Sequence, residues 1–345
     1  LLGLLNSIGD PSEMNRKEKA QTIKIVSDAI RESWGEMWRS VSSEMSDMAL
    51  LDVQHISDIY ADIANVDFKI PADPIITGFI NTATMVLTSG TTVQTGVWAE
   101  FVKRNVDSVQ QQVTGTIFNG YREGLTNAQI ARNIRGTYNR KKKTYEGGLL
   151  QGRVKAQSEA LTRTGVSHYS NSARDRMYAA NEDILANRIL IATLDNRTTD
   201  LCYGRNLNVY RIRDDTYPRL PFHFNERSVY IVQVKGDDVL GGKRPSIGGK
   251  SNDPDAFKKT PKYRGRRDSE VYGVKQVDAD ITTDNWLKRQ PRAFVASALG
   301  ETKAKLFLDG GMSVKSFVDA SGKQLTLKNL RTVGDNEKAF RKAGL

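Results

Sequence analysis

From Pro11 to about Asn65 the chain carries no internal proline and no turn cluster. A stretch that long without a breaker, with Ile23, Ile25, Val26, Ile30, Trp34 and Trp38 at helical spacing, demands one long helix. Asp10-Pro11 reads as its start, with Asp as the N-cap and Pro at the first helical position. Gly35 is the one candidate interruption. The Trp34/Trp38 pair fits a core or helix-pairing stripe better than a binding ridge.

The helical period recurs twice. Val102, Val106, Val109, Val113 and Ile117 form one face of a helix over about 93–122. Gly124 ends it, and Thr126 caps a short helix to about Ile134. Val154, Leu161, Val166, Tyr169, Ala173 and Met177 mark the buried side of a third helix over about 150–180. Between the first two, residues 66–92 read as a connector around Pro71, Pro74 and Gly78, with a short apolar helix over Ile75–Leu87.

After residue 180 the period changes. Ile189–Leu194, Asn208–Arg213 and Ser228–Val234 read as strands rich in β-branched and aromatic residues. Residues 236–270 read as a flexible arm with Lys243, Arg244, Lys250, Lys258, Lys259, Lys262, Arg264, Arg266 and Arg267 among glycines and prolines. Helical core material returns with Thr282-Thr283-Asp284 before Trp286-Leu287, then Phe294, Leu299, Leu306, Phe307, Phe317 and Val318. The expected fold is mainly α within the α+β class. Its parts are an N-terminal helical region (1–92), a helical hairpin and long helix (93–185), a small β module (186–235), the basic arm (236–270) and an α-rich C-terminal region (271–345).

At 345 residues there is room for two or three domains. No apolar run is long enough for a membrane span. The opening Leu1–Leu5 is too short for a signal-peptide core, and without an initiator Met further residues are expected upstream. A single cysteine excludes an intramolecular disulfide framework and fits a reducing compartment. The net charge of +11 favours an acidic partner: nucleic acid, an anionic membrane surface or an acidic protein, with solubility alone as the plain alternative. Arg140-Lys141-Lys142-Lys143 forms a second basic run, read as a loop. These four and Lys258, Lys259, Lys262, Arg264, Arg266 and Arg267 are the candidates for DNA contact.

No phosphate loop, dinucleotide-binding glycine pattern, H-E-x-x-H or G-x-S-x-G is present, and nothing nominates a catalytic residue. His55 and His168 lie in helical segments as surface or packing residues. Residues 195–228 differ. Cys202, the only cysteine, is followed by Pro221-x-His223-x-Asn225-x-Arg227, the outline of a metal-clasped knuckle. A structural zinc site takes about four Cys or His ligands. Only Cys202 and His223 qualify, with Asp200 and Glu226 as weaker oxygen donors, so no metal or other cofactor is expected. His223-x-Asn225 also resembles part of a ββα-metal nuclease site, whose second metal-binding His is not evident.

Asp195-x-Arg197-Thr198-x-x-x-Cys202 followed by Pro221-x-His223-x-Asn225-x-Arg227 resembles the signature of the phage head morphogenesis family, the minor head proteins similar to the F protein of phage Mu. Arg163 and Thr164, followed by Asn171 and Tyr178, fall where the family carries an Ala-Arg-Thr-Glu helix. Asn119-Gly120 through Ile134 resembles its glycine-containing helical hairpin. The similarity spans about residues 95–235. The family's cysteines fall on Thr199, Glu226 and Ser228, its helix Glu on Gly165, and the Gly before its second strand on Leu207. The family's metal site is therefore expected to be degraded, with an Asp195–Arg227 or Glu226–Arg197 ion pair in its place.

The resemblance implies a non-enzymatic virion protein inside the capsid at the portal vertex, made in the host cytoplasm and present in several copies. Its implied partners are the portal protein, other head proteins and double-stranded DNA bound without sequence preference, in head assembly, DNA packaging, retention or ejection. The alternatives are a metal-dependent, nuclease-like enzyme acting on DNA and a free DNA-binding protein.

Overall fold

Asn15, not Asp10, caps the long helix. In the computed structural model its side chain accepts the backbone N–H groups of Lys17 and Glu18 at 2.8 and 3.0 Å, and Glu18 Oε2 accepts the Asn15 N–H at 2.8 Å. That reciprocal box satisfies donors that a Pro11 start would have left open, and Pro11 lies in a turn. The structure describes residues 11–89, 92–236, 241–257, 270–319, 323–333 and 336–345. It is a mainly helical α+β protein with a long N-terminal helix and small antiparallel sheets. The chain divides into two compact units. One comprises Leu1–Leu87, Gln94–Met177 and Pro221–Glu226; the other comprises Thr88–Val93, Tyr178–Leu220 and Arg227–Leu345.

The first unit is built on α1 (Arg16–Ala64), which runs through Gly35 unbroken and ends at Asn65 in the left-handed region (φ 51°). A mid-helix glycine costs about 1 kcal/mol, little against a face that buries Val26, Ile30, Trp38, Met45, Ala49 and Val53. α2 (Asp73–Thr82) is shorter than its apolar run suggests. At β1 (Met85–Ser89) the burial alternates, Met85 and Leu87 inside and Val86 half exposed, which is a strand period. β1 pairs with β2 (Thr92–Gly96). α3 (Trp98–Arg122) and α4 (Asn127–Arg135, capped by Thr126) form a helical hairpin. Val109, Val113 and Ile117 of α3 and Ile130 and Ile134 of α4 share one core with Val26 and Ile30.

β3 (Thr137–Asn139) and β4 (Thr144–Glu146) then pair as a short ribbon. A π-helical turn over Leu150–Val154 leads into α5 (Lys155–Ala180). Leu161, Tyr169, Ala173 and Met177 of α5 are buried as expected, but Val166 is 37 % exposed. Val166 falls off the stripe because Gly165, its neighbour, faces the core. A Cβ on Gly165 would come within 2.5 Å of the Trp98 ring and 2.8 Å of Met45 Sδ. Trp98 packs edge-on against Trp38 and Tyr169. The two indole N–H groups reach Ser42 Oγ (2.8 Å) and Asn105 Oδ1 (3.0 Å). Arg174 of α5 forks onto Asp52 of α1 with two 2.6 Å bonds.

The second unit holds a three-stranded antiparallel sheet in the order β6 (Val209–Arg211), β5 (Leu185–Ile191), β7 (Val229–Val234). The short helix α6 (Asp200–Arg205) lies between β5 and β6 in sequence. The 236–270 segment is not one flexible arm: β8 (Lys243–Gly249) pairs along its whole length with β9 (Tyr272–Asp278). Gly248 and Gly249 suggested a loop, yet Cβ atoms there would strike Gln290 and Phe294 at 2.3 and 2.6 Å, so glycine admits close packing rather than flexibility. Arg244 is buried, donating to the carbonyls of Ala192 (3.1 Å) and Ile281 (2.9 Å) and to Asn206 Oδ1 (3.0 Å). Burial lowers its pKa to about 10.

Helices α7 (Thr283–Lys288), α8 (Arg292–Leu299) and α9 (Glu301–Leu308) follow, then α10 (Leu327–Thr332) and α11 (Asn336–Lys342). Their core of Trp286, Phe294, Phe307, Phe317 and Phe340 is continuous with Leu194, Tyr203 and Tyr272. The β module and the C-terminal helices thus share one core. Val318, expected inside, is only half buried at the edge.

Candidate functional site

The residues that define the 195–228 pattern work at two places, one in each unit. In the second unit they converge on one carboxylate. Asp195 follows β5 and is fully buried. Arg227 donates to its two oxygens at 2.6 and 2.9 Å, a two-pronged geometry that only guanidinium supplies. The Arg197 backbone N–H adds a bond to Oδ1 at 3.0 Å. The Thr198 hydroxyl lies 2.6 Å from the Thr193 carbonyl and 3.1 Å from Asp195 Oδ1. The Tyr203 hydroxyl donates to the Asp195 carbonyl. Burial alone would raise the Asp195 pKa; the hydrogen bonds and charge of Arg227, with the Arg197 amide and Thr198, outweigh it and hold the carboxyl below its ordinary range.

Asp195–Arg227 is therefore the pair that closes the turn. The pattern's Arg197 contributes its backbone amide, while its side chain is exposed. Thr199 caps α6: its hydroxyl accepts the Cys202 N–H at 3.4 Å and lies 3.2 Å from Cys202 Sγ. Cys202 is buried. Leu207 adopts φ 64°, a left-handed conformation that side chains rarely take. Asp200 is bound by Lys303 and by Gln324 Nε2 at 2.6 Å, which removes it as a spare oxygen donor.

In the first unit Arg163 and Thr164 of α5 hold Asn225. The Thr164 hydroxyl accepts the Asn225 N–H at 3.0 Å and donates to the Ala160 carbonyl at 2.7 Å. Arg163 donates to Asn225 Oδ1 at 3.1 Å. Asn225 is left-handed (φ 61°), a conformation Asn tolerates better than most residues. Pro221 is buried four residues earlier. His223 Nδ1 lies 2.8 Å from the Phe224 carbonyl, which only accepts, so Nδ1 carries hydrogen. Its Nε2 lies 3.0 Å from Glu226 Oε2.

Cys202 belongs to the second unit, and His223 and Glu226 belong to the first. The Asp195 turn is closed by the Arg227 guanidinium, the Arg197 amide and the Thr198 hydroxyl.

The other sequence candidates are dispersed. Arg140, Lys141, Lys142 and Lys143 occupy the exposed turn between β3 and β4. Lys258, Lys259, Lys262, Arg264, Arg266 and Arg267 lie outside the described residues. His55 is exposed; His168 is buried, with Nε2 3.1 Å from the Ile80 carbonyl, and burial lowers its pKa to about 4 against that bond. The sequence reading missed Lys303 and Gln324, whose long separation from Asp200 leaves no local signal. It also missed the frame of the β3–β4 ribbon, for which Asn139 two residues before Lys141 was an available turn signal.

No protein-family model, curated protein or solved structure matches this chain. No helix among the described residues is long and apolar enough to cross a membrane.

Proposed function

We propose that this chain is a minor head protein of a tailed phage, carried inside the capsid at the portal vertex and in contact with packaged DNA without sequence preference. The observation that carries the reading is the convergence of Thr198, Arg227 and the Arg197 amide on the buried Asp195 carboxylate. The residues that carry the family resemblance are those that hold the turn, while the family's cysteine positions have been replaced. A net charge of +11 suits a site beside packed DNA, where cations displace condensed counterions.

Electron microscopy of the intact virion, with mass spectrometry of purified capsids, tests the proposal. Density for this chain at the portal vertex is the expected result. Its absence from capsids that package DNA would overturn the proposal. The metal-dependent nuclease is the second reading, carried by the His223-x-Asn225 pattern. It requires nicking of plasmid DNA with Mg²⁺, Mn²⁺ or Zn²⁺ that His223→Ala abolishes.

A further inference from the structure

The basic run at 140–143 is the tip of a built ribbon rather than a loose loop. Thr137, Tyr138 and Asn139 pair in register with Glu146, Tyr145 and Thr144. The Asn139 side chain accepts the backbone N–H groups of Lys141 and Lys142 at 3.0 and 3.1 Å, which sets the turn. Lys143 takes the left-handed conformation that closes it (φ 51°). Tyr138 and Tyr145 pack against each other across the strands, centroids 5.1 Å apart and planes tilted by 59°, and Arg135 lies over the Tyr145 ring at 4.5 Å.

The base is equally constrained. A Cβ on Gly136 would approach the Gly147 carbonyl to 2.4 Å, and one on Gly148 would approach the Gly136 nitrogen to 2.3 Å. Two-stranded hairpins are marginal in water by themselves. Here the aromatic pair and the tight glycine base hold the tip cations in place.

Charge at the tip is unevenly committed. Lys142 is paired with Glu146 at 2.6 Å, and Asn139 Nδ2 donates to the other oxygen of the same carboxylate at 2.8 Å. Arg140, Lys141 and Lys143 are exposed and form no ion pair among the described residues. Three strand residues at ~3.4 Å rise span about 10 Å. A B-DNA major groove, about 12 Å wide and about 8.5 Å deep, admits a two-stranded ribbon.

We propose that the β3–β4 ribbon is a DNA-docking arm that lies in the major groove of duplex DNA, with Arg140, Lys141 and Lys143 on flanking phosphates and Lys142 held in reserve by Glu146. The inference rests on the DNA-contact part of the proposed function and gives it a location. The contacts are to backbone, so binding is independent of sequence and steeply dependent on salt.

Titration of a labelled duplex with the full chain between 50 and 200 mM salt tests it, using folded proteins matched by circular dichroism. Arg140→Gln/Lys141→Gln/Lys143→Gln should lower the log–log salt slope by about 2.7, at about 0.9 per phosphate contact. Glu146→Gln should act in the opposite direction, releasing Lys142 and steepening the slope by about 0.9. Unchanged slopes in both variants would overturn the arm. So would a triple variant that loses binding to phosphatidylserine vesicles but not to the duplex. The two proposals fail separately: a triple variant that enters virions normally with a reduced slope supports the arm, whereas a chain missing from virions sinks the head-protein reading alone.

Discussion

At the scale of single residues, Asp195 is where the chain stores most consequence in one side chain. Its carboxyl is fully buried against a two-pronged guanidinium, so Asp195→Ala leaves Arg227 without its counter-charge and should cost about 3 kcal/mol or more. Chemical denaturation of the single variants and the charge-swapped double measures this; recovery in the double is the expected outcome. The pH dependence has a definite sign. The folded carboxyl titrates below its ordinary 3.8, so the pair's contribution is complete above about pH 4 and is lost as pH falls through the folded value.

His168 acts in a higher window. Its folded pKa lies at about 4 against 6.5. As pH drops from 6.5 to 4 the unfolded chain takes up a proton that the folded chain refuses, and stability falls by about 3 kcal/mol at most. His168→Gln should flatten that part of the stability curve. Leu207 carries a different strain. Because its φ is 64°, Leu207→Val should destabilise by at least 1 kcal/mol more than Leu207→Gly, since β-branching worsens the left-handed conformation that glycine accepts freely.

At the scale of elements, the glycines separate into two kinds. Gly165 on α5 leaves room for the Trp98 ring, and Gly165→Ala should cost about 1–3 kcal/mol by forcing that ring off its neighbours. Gly152, in the π-helical turn before α5, has open space where a Cβ would go. Gly152→Ala should therefore be neutral or stabilising by up to about 1 kcal/mol, and paired thermal melts distinguish the two. The helices and the β5–β6–β7 strands were legible because their apolar residues repeat at 3.6 or 2 positions. Strand β8 was not: Lys243, Arg244, Pro245 and two glycines read as an arm. What makes it a strand is the pairing with β9 and the three acceptors that take in Arg244, all distant in sequence.

At the scale of the whole molecule, two units each assemble segments far apart in the chain. Residues 221–226 belong with the helical unit, while Arg227, their immediate successor, belongs with the β and C-terminal unit. The pattern Pro221-x-His223-x-Asn225-x-Arg227 therefore serves two cores. Asn225→Ala is expected to weaken the α5 attachment through Thr164 and Arg163, and Arg227→Ala the Asp195 turn. Hydrogen exchange resolved by segment should locate each loss in its own unit.

By itself the sequence determined the long helix, the helical hairpin, the three strands, the basic balance and the two candidate ion pairs of the 195–228 turn. Each is written in local periodicity, capping chemistry or charge. Only tertiary structure decided that Arg227 rather than Arg197 neutralises Asp195, that Asp200 is bound by Lys303, that Gly165 admits an indole, and that the loop of four cations joins two paired strands. Those outcomes depend on which distant groups share a buried space, and desolvation makes that pairing obligatory without leaving a trace at short range in the sequence.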